Sequence, residues 1–266
     1  MSIIIKTDMA TYTTEIASDT ISSDNPIHRR LLKAYYAAIP FVSGNLLEVG
    51  CGEGRGVELL APKAENYTAV DKIGEVIERL SAKYPDVKFV QSFIPPFDGW
   101  ESNQFDTIVT FQVIEHIKDD GLFLKELYRL LKPGGKLLVT TPNINYTLSR
   151  NPWHEREYTP SELEKLMAKY FDEVETKGIG GNDKVWDYYN QNKKSVEKIT
   201  RFDIFNLQYK LPASILRIPY DILNRINRNN LSKQDNGLVS SISHEDYLVT
   251  DNPDKALDLF YIGYKK

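Results

Sequence analysis

The sequence predicts an α/β fold: a doubly wound, seven-stranded, mostly parallel sheet with helices on both faces. Two observations carry this. Short apolar runs alternate with stretches whose apolar residues recur at helical spacing, and the runs are nearly continuous rather than alternating, as in strands buried on both sides. In addition, a glycine-rich turn follows the first run directly, and an acid closes the second.

Residues 1–26 are rich in Ser, Thr and Asp and end at the Asp24-Asn25-Pro26 breaker, so a loosely held arm is expected there. Ile27, Leu31, Leu32, Tyr35, Tyr36 and Ile39 then follow helical spacing, with Pro26 placed at the helix entry. Residues 45–49 (NLLEV) read as the first strand and 67–70 (YTAV) as the second. Ile73, Val76, Ile77 and Leu80 lie on one helical face. Residues 87–90 and 105–110 are the third and fourth strands. Leu124, Leu127, Leu130 and Leu131 mark a helix that stops at Lys132-Pro133-Gly134-Gly135, before a fifth strand at 136–140. Thr159-Pro160-Ser161-Glu162 is a capping-box start for a helix burying Leu163, Leu166, Met167 and Tyr170. Residues 171–176 and 256–264 supply the sixth and seventh strands.

Composition narrows the function classes. The chain has 266 residues, with 33 Lys+Arg against 37 Asp+Glu, and a net charge of −4 argues against broad nucleic-acid binding. One cysteine leaves no disulfide framework and no multi-cysteine metal site. No apolar run approaches the ~18 residues of a membrane span, and the N-terminus lacks a signal-peptide pattern. A cytoplasmic protein, monomeric or a homodimer, is expected.

The chemistry concentrates at Glu48-Val49-Gly50-Cys51-Gly52-Glu53-Gly54, between a strand and a helix-like stretch. Glycines there let backbone N–H groups approach a ligand. Asp71, at the end of the second strand, is placed to meet ribose hydroxyls. A dinucleotide G-x-G-x-x-G fails from either start: the sixth position is Arg55 counting from Gly50 and Val57 counting from Gly52. That disfavours an NAD-dependent oxidoreductase.

The motifs LLEVGCGEGRG, TAVD, FDTIVTFQVIEHI and LLKPGGKLLVTTPN, in this order and at these spacings, resemble those of class I S-adenosylmethionine-dependent methyltransferases. The resemblance covers roughly residues 27–180 and the final strand, and it implies a Rossmann-like sheet whose last strand is antiparallel. It implies that Gly50, Gly52 and Gly54 form the turn beneath the methionine end of S-adenosyl-L-methionine, with Cys51 a small buried thiol under the cofactor. Glu48 would hold the amino group and Asp71 both ribose hydroxyls. Lys72, Ser92, Phe93, Phe111, Gln112 and His116 complete the expected cofactor-binding set. After strand three the chain reads Val90-Gln91-Ser92-Phe93-Ile94, without the Asp or Asn that many relatives use for the adenine amino group. Backbone groups and packing by Phe93 or Ile73 would have to serve instead.

Methyl transfer to a neutral hydroxyl needs alignment and a base. His28 is read as a surface or capping residue, His116 as structural or cofactor-side, and His244 as a solvated loop residue. His154, in the segment Asn151–Tyr158 after strand five, is the candidate base. The alternative is that Arg156 and Glu157 pair to brace the loop and His154 only caps it. Similar segments in related methyltransferases line the acceptor side, which implies substrate contacts for Trp153, Arg156 and Tyr158. No metal is expected, because the four histidines are scattered without ligand spacing.

The chain divides into an arm and helix (1–40), a cofactor-binding core (41–181), a helical insertion (182–245) and the last strand (246–266). The insertion carries ten Lys+Arg and seven Asp+Glu. Its apolar Ile215, Leu216, Ile218, Ile222, Leu223 and Ile226 alternate with Arg217, Arg225 and Arg228, and Pro219 should kink or break the helix. A lid over the acceptor site, a membrane-docking face and a dimer contact are its three readings. The function expected is methyl transfer to a small-molecule or saccharide acceptor, more readily oxygen than nitrogen or carbon. A lipid-linked acceptor and non-catalytic cofactor binding are the alternatives.

Overall fold

The computed structural model describes residues 21–266, so most of the expected arm lies outside the described residues. The chain enters through helix α1 (Asn25–Ala38), with Pro26 in its first turn. Five parallel strands follow: β1 (Asn45–Val49), β2 (Asn66–Asp71), β3 (Lys88–Gln91), β4 (Phe105–Phe111) and β5 (Leu131–Pro142). They are linked by α2 (Val57–Leu60), α3 (Gly74–Lys83) and α4 (Asp120–Leu130). Helix α5 (Pro160–Met167) starts at the predicted capping box, in which Thr159 and Glu162 each bond the other's backbone N–H. β6 (Glu173–Gly181) then leads into the insertion, built of α6 (Asp183–Thr200), α7 (Leu207–Lys210), α8 (Ala213–Gln234) and α9 (Asn236–Ser241). The chain closes with β7 (Tyr247–Thr250) and β8 (Asp258–Tyr264).

The sheet order is β3-β2-β1-β4-β5-β8-β6-β7. β8 runs antiparallel between β5 and β6, as expected for the last strand. The sheet has eight strands, not seven. The extra one, β7, pairs antiparallel with β6 at the edge; it has only four residues, of which Leu248 and Val249 are exposed. Leu131 also departs from expectation. It opens β5 opposite Phe105, and the following Lys-Pro-Gly-Gly forms an irregularity before Lys136 resumes the register. Pro219 does not break α8, which runs through it. Being exposed, it leaves the carbonyl that its missing N–H cannot serve to solvent.

Two cores sandwich the sheet. Leu46, Val109, Leu138 and Phe260 face Tyr35, Ala38 and the α3 residues Val76 and Leu80. Their strand neighbours Leu47, Ile108, Leu137 and Leu259 face Phe123, Leu127, Leu163 and Met167. The two-residue side-chain period of a strand makes this partition. Strand order reverses between β1 and β4, so a crevice opens at their carboxyl ends, where ligands bind in open α/β sheets.

Candidate active site

The glycine turn leaves β1 and is tied to β2: the N–H groups of Gly50 and Cys51 donate to the Val70 carbonyl at 2.8 and 3.1 Å. Gly50 has φ +79°, and an added Cβ would lie 2.3 Å from Val113 Cγ2, so no larger residue fits. At Gly52, φ +48°, a Cβ would meet nothing within 4 Å. Asp71 closes the loop. Its Oδ2 accepts from Gly52 N at 2.9 Å and its Oδ1 from Ile73 N at 3.1 Å, which leaves each oxygen a further lone pair.

Gly50, Cys51, Gly52, Asp71, Lys72, Ser92, Phe93, Phe111, Gln112 and His116 line one cleft of about 300 Å³. Phe93 is 75% exposed at its rim, an apolar face without cover. Ile73 lines the cleft too. Cys51 is buried there, and burial pushes its thiol well above the ordinary range, as for a packed and unreactive sulfur. Gly54 and Glu48 do not line the cleft. Gly54 packs against Leu80. Glu48 is buried beneath the loop, where Oε1 accepts from Tyr35 Oη at 2.7 Å and Oε2 from Tyr67 Oη. Burial pushes Glu48 up to about 7, against the opposing effect of the two tyrosine hydroxyls.

A second cleft, about 250 Å³, lies between the segment after β5, the residues after β4, and helices α1, α6 and α8. The two clefts share Leu31, Gln112 and His116. Gln112 takes a left-handed conformation, φ +58°, at this junction and is anchored by its N–H to the Thr140 carbonyl at 2.9 Å. A non-glycine residue held there by its surroundings is the kind of backbone strain that accumulates at working sites.

His154 and Glu157 line the second cleft together. His154 Nδ1 lies 2.6 Å from Glu157 Oε1, and Nε2 lies 2.9 Å from Asn151 Nδ2. Glu157 is itself held by the Thr147 hydroxyl. A proton on Nδ1, donated to Glu157, makes Nε2 the acceptor of the Asn151 amide; that tautomer satisfies all three groups. The backbone carbonyl of Glu115 clamps the segment, accepting from Glu155 N at 2.7 Å and Arg156 N at 3.2 Å. The Glu115 side chain is buried and accepts from Thr141 Oγ1 at 3.0 Å; burial pushes it up to about 7, opposed by His154. His116 Nδ1 sits 2.9 Å from the Trp153 carbonyl. Although the histidines are scattered in sequence, ligand atoms of Glu115, His116 and His154 all fall within 4.8 Å of one another.

The other expected acceptor residues point elsewhere. Arg156 pairs with Asp120 and Glu162 rather than Glu157, and Tyr158 is buried with its hydroxyl on Asp120 Oδ2 at 2.9 Å, so both brace the segment against α4 and α5. Trp153 is stacked under the Arg217 guanidinium, and its indole N–H donates to Asp221 Oδ1 at 3.0 Å, which docks α8. His244 is half-buried and stacks on Tyr36 with ring centroids 3.9 Å apart, not solvated. Sequence reasoning missed Tyr220, Asn224, Asn227 and Arg228, which line the second cleft. Their helical spacing along α8 was the available signal.

Residues 47–139, which hold the glycine turn, Asp71 and the β4–β5 strands, match the model of the methyltransferase domain. Those residues carry a methyltransferase domain. A probable S-adenosylmethionine-dependent methyltransferase of Mycolicibacterium smegmatis is 37% identical over 136 residues, 49% of this chain and 52% of that protein. The chain thus spans about half the length of that relative. A ubiquinone biosynthesis O-methyltransferase of Paracidovorax citrulli is 26% identical over 166 residues, 54% of this chain and 69% of that protein. Among solved structures, a methyltransferase of Thermotoga maritima shares the fold with a TM-score of 0.56 at 18% identity, over 90% of this chain and 91% of that one. The methyltransferase core implies S-adenosylmethionine as cofactor. The first cleft fits it: a glycine turn with room above Gly52, a carboxylate with spare lone pairs at Asp71, and an uncovered aromatic face at Phe93.

Proposed function

We propose that the protein transfers a methyl group from S-adenosylmethionine to a hydroxyl of a small or medium acceptor held in the second cleft, with His154 as the base. When bound, the cofactor supplies a methyl carbon activated by its sulfonium. Gln112 and His116 stand where the two clefts meet and would align the reacting groups. The acceptor hydroxyl would take the place of the Asn151 amide at His154 Nε2 and pass its proton there. Glu157 would keep the ring oriented and favour the imidazolium that forms, a base held by a carboxylate.

The observation that carries this reading is the Glu157–His154 pair on the wall of a cleft that shares Leu31, Gln112 and His116 with the glycine-turn cleft. A hydroxyl acceptor is also supported by relatives named as O-methyltransferases. The helices of the insertion, whose polar residues line the acceptor cleft, would act as its lid and set its selectivity.

Calorimetry with S-adenosylhomocysteine and with NAD tests the cofactor assignment; saturable binding of the first and none of the second is expected. Incubating hydroxylated metabolites and saccharides with labelled S-adenosylmethionine, read as a mass shift, tests the acceptor class. The Glu115–His116–His154 cluster also offers two imidazoles and a carboxylate, a donor set suited to a divalent cation. With His154 as base, turnover is unchanged by a chelator; loss of turnover restored by a divalent metal would reassign His154 as a ligand.

A further inference from the structure

We propose that the insertion docks on an anionic lipid bilayer through the outer face of α8 and the turn before it. Helix α8 is inverted relative to an ordinary surface helix. Its polar Tyr220, Asn224 and Asn227 turn inward to line the acceptor cleft, while Ile215, Ile218, Ile222 and Ile226 turn outward, with Ile218 71% exposed. Steps of three, four and four residues put these isoleucines on one stripe. Phe202, Ile204 and Phe205 in the preceding turn are 73, 81 and 70% exposed. An apolar face of this extent, left exposed among the described residues, marks a contact surface.

Charge identifies what covers it. Residues 193–233 carry nine Lys+Arg against three Asp+Glu, a net +6, whereas the whole chain is −4, so the remainder carries −10. Lys193, Lys194, Lys198, Arg201, Lys210 and Lys233 are exposed there, against exposed carboxylates only at Glu197 and Asp221. The Arg201 guanidinium lies over the Phe202 ring at 4.8 Å, so cation and apolar side chain stand together at the patch. A two-fold dimer through this face would bring two such positive segments together and is disfavoured. An anionic headgroup layer satisfies both features, taking the isoleucines and phenylalanines into its acyl boundary and the cations at its surface. The stripe from Ile215 to Ile226 is about 17 Å long at 1.5 Å per residue, suited to lying in the interface plane. No described helix is long and apolar enough to cross a membrane.

Vesicle co-sedimentation tests this independently of methyl transfer. The full chain should bind vesicles containing phosphatidylglycerol, more weakly as salt rises, and should bind pure phosphatidylcholine poorly. The Ile218→Ser/Ile222→Ser variant, altered only at exposed positions, should keep its circular dichroism spectrum and lose binding by ~10-fold or more. Arg201→Glu/Lys210→Glu should lose it by ~10-fold or more as well. No binding to anionic vesicles at low salt, equal binding to both vesicle types, or binding that survives both double variants overturns the proposal. Light scattering that finds a dimer split by Ile218→Ser/Ile222→Ser would assign the face to a second copy and also overturn it.

Discussion

Single side chains here are set by what is packed around them. Glu48 is the clearest case, since burial between Tyr35 and Tyr67 lifts its carboxyl to about 7 from an ordinary 4.5. A raised folded-state value favours the protonated form, so its stabilising contribution is complete below about 4.5 and is lost as pH rises through about 7. The wild type should therefore lose stability, on the order of 3 kcal/mol from this group, between about pH 5 and pH 8. Glu48→Gln should make the slope measured by urea unfolding shallower, leaving the part that Glu115, also raised to about 7, contributes; an unchanged slope would refute the assignment. Gly50 gives a second prediction at this scale. Gly50→Ala puts a Cβ into Val113 at a positive φ, so a loss of about 1–2 kcal/mol together with loss of S-adenosylhomocysteine binding is expected. The glycine turn and Asp71 were legible in sequence because their pattern is local. No local pattern could reveal that Tyr35 and Tyr67 each bond one oxygen of Glu48 and bury it beneath the loop. The left-handed Gln112 was invisible for the same reason: β5, twenty-eight residues on, holds it.

At the scale of elements, long periodic stretches were the readable ones. The first six strands and the capping box before α5 lie where apolar period and turn chemistry put them, to within a few residues. β7 escaped because an edge strand of four residues needs only one buried side chain, Tyr247. The attachment of α8 was equally unreadable. It depends on Asp24, fully buried at the entry to α1, which pairs with Arg225 at 2.9 Å and Arg228 at 3.3 Å some two hundred residues away. Asp24→Ala would leave Arg228, itself largely buried, facing a vacated position while the more exposed Arg225 turns to water, and should destabilise by about 2 kcal/mol, with α8 becoming the least protected helix in hydrogen exchange. Unaltered exchange in α8 would show that the pair does not hold it.

Across the whole molecule, the length beyond a minimal core builds the second cleft, where the acceptor is proposed to sit. The first cleft comes largely from local motifs, so ten of the twelve residues expected for the cofactor line it, while Glu48 and Gly54 do not and Leu31 and Tyr35 of α1 join it. The second cleft draws on α1, the segment after β5, α6 and α8, so only folding assembles it. That is why His154 could be singled out from its position after β5, while Arg156 and Tyr158, two and four residues on, turn to the opposite side. In the proposed function this junction performs methyl transfer with His154 as its base. The most direct measurement compares wild type with His154→Ala for transfer of labelled methyl to the acceptor found by mass-shift screening, at matched S-adenosylhomocysteine affinity. A loss of ~10²-fold or more in kcat with cofactor binding retained is expected; undiminished turnover in the variant would exclude His154 as the base.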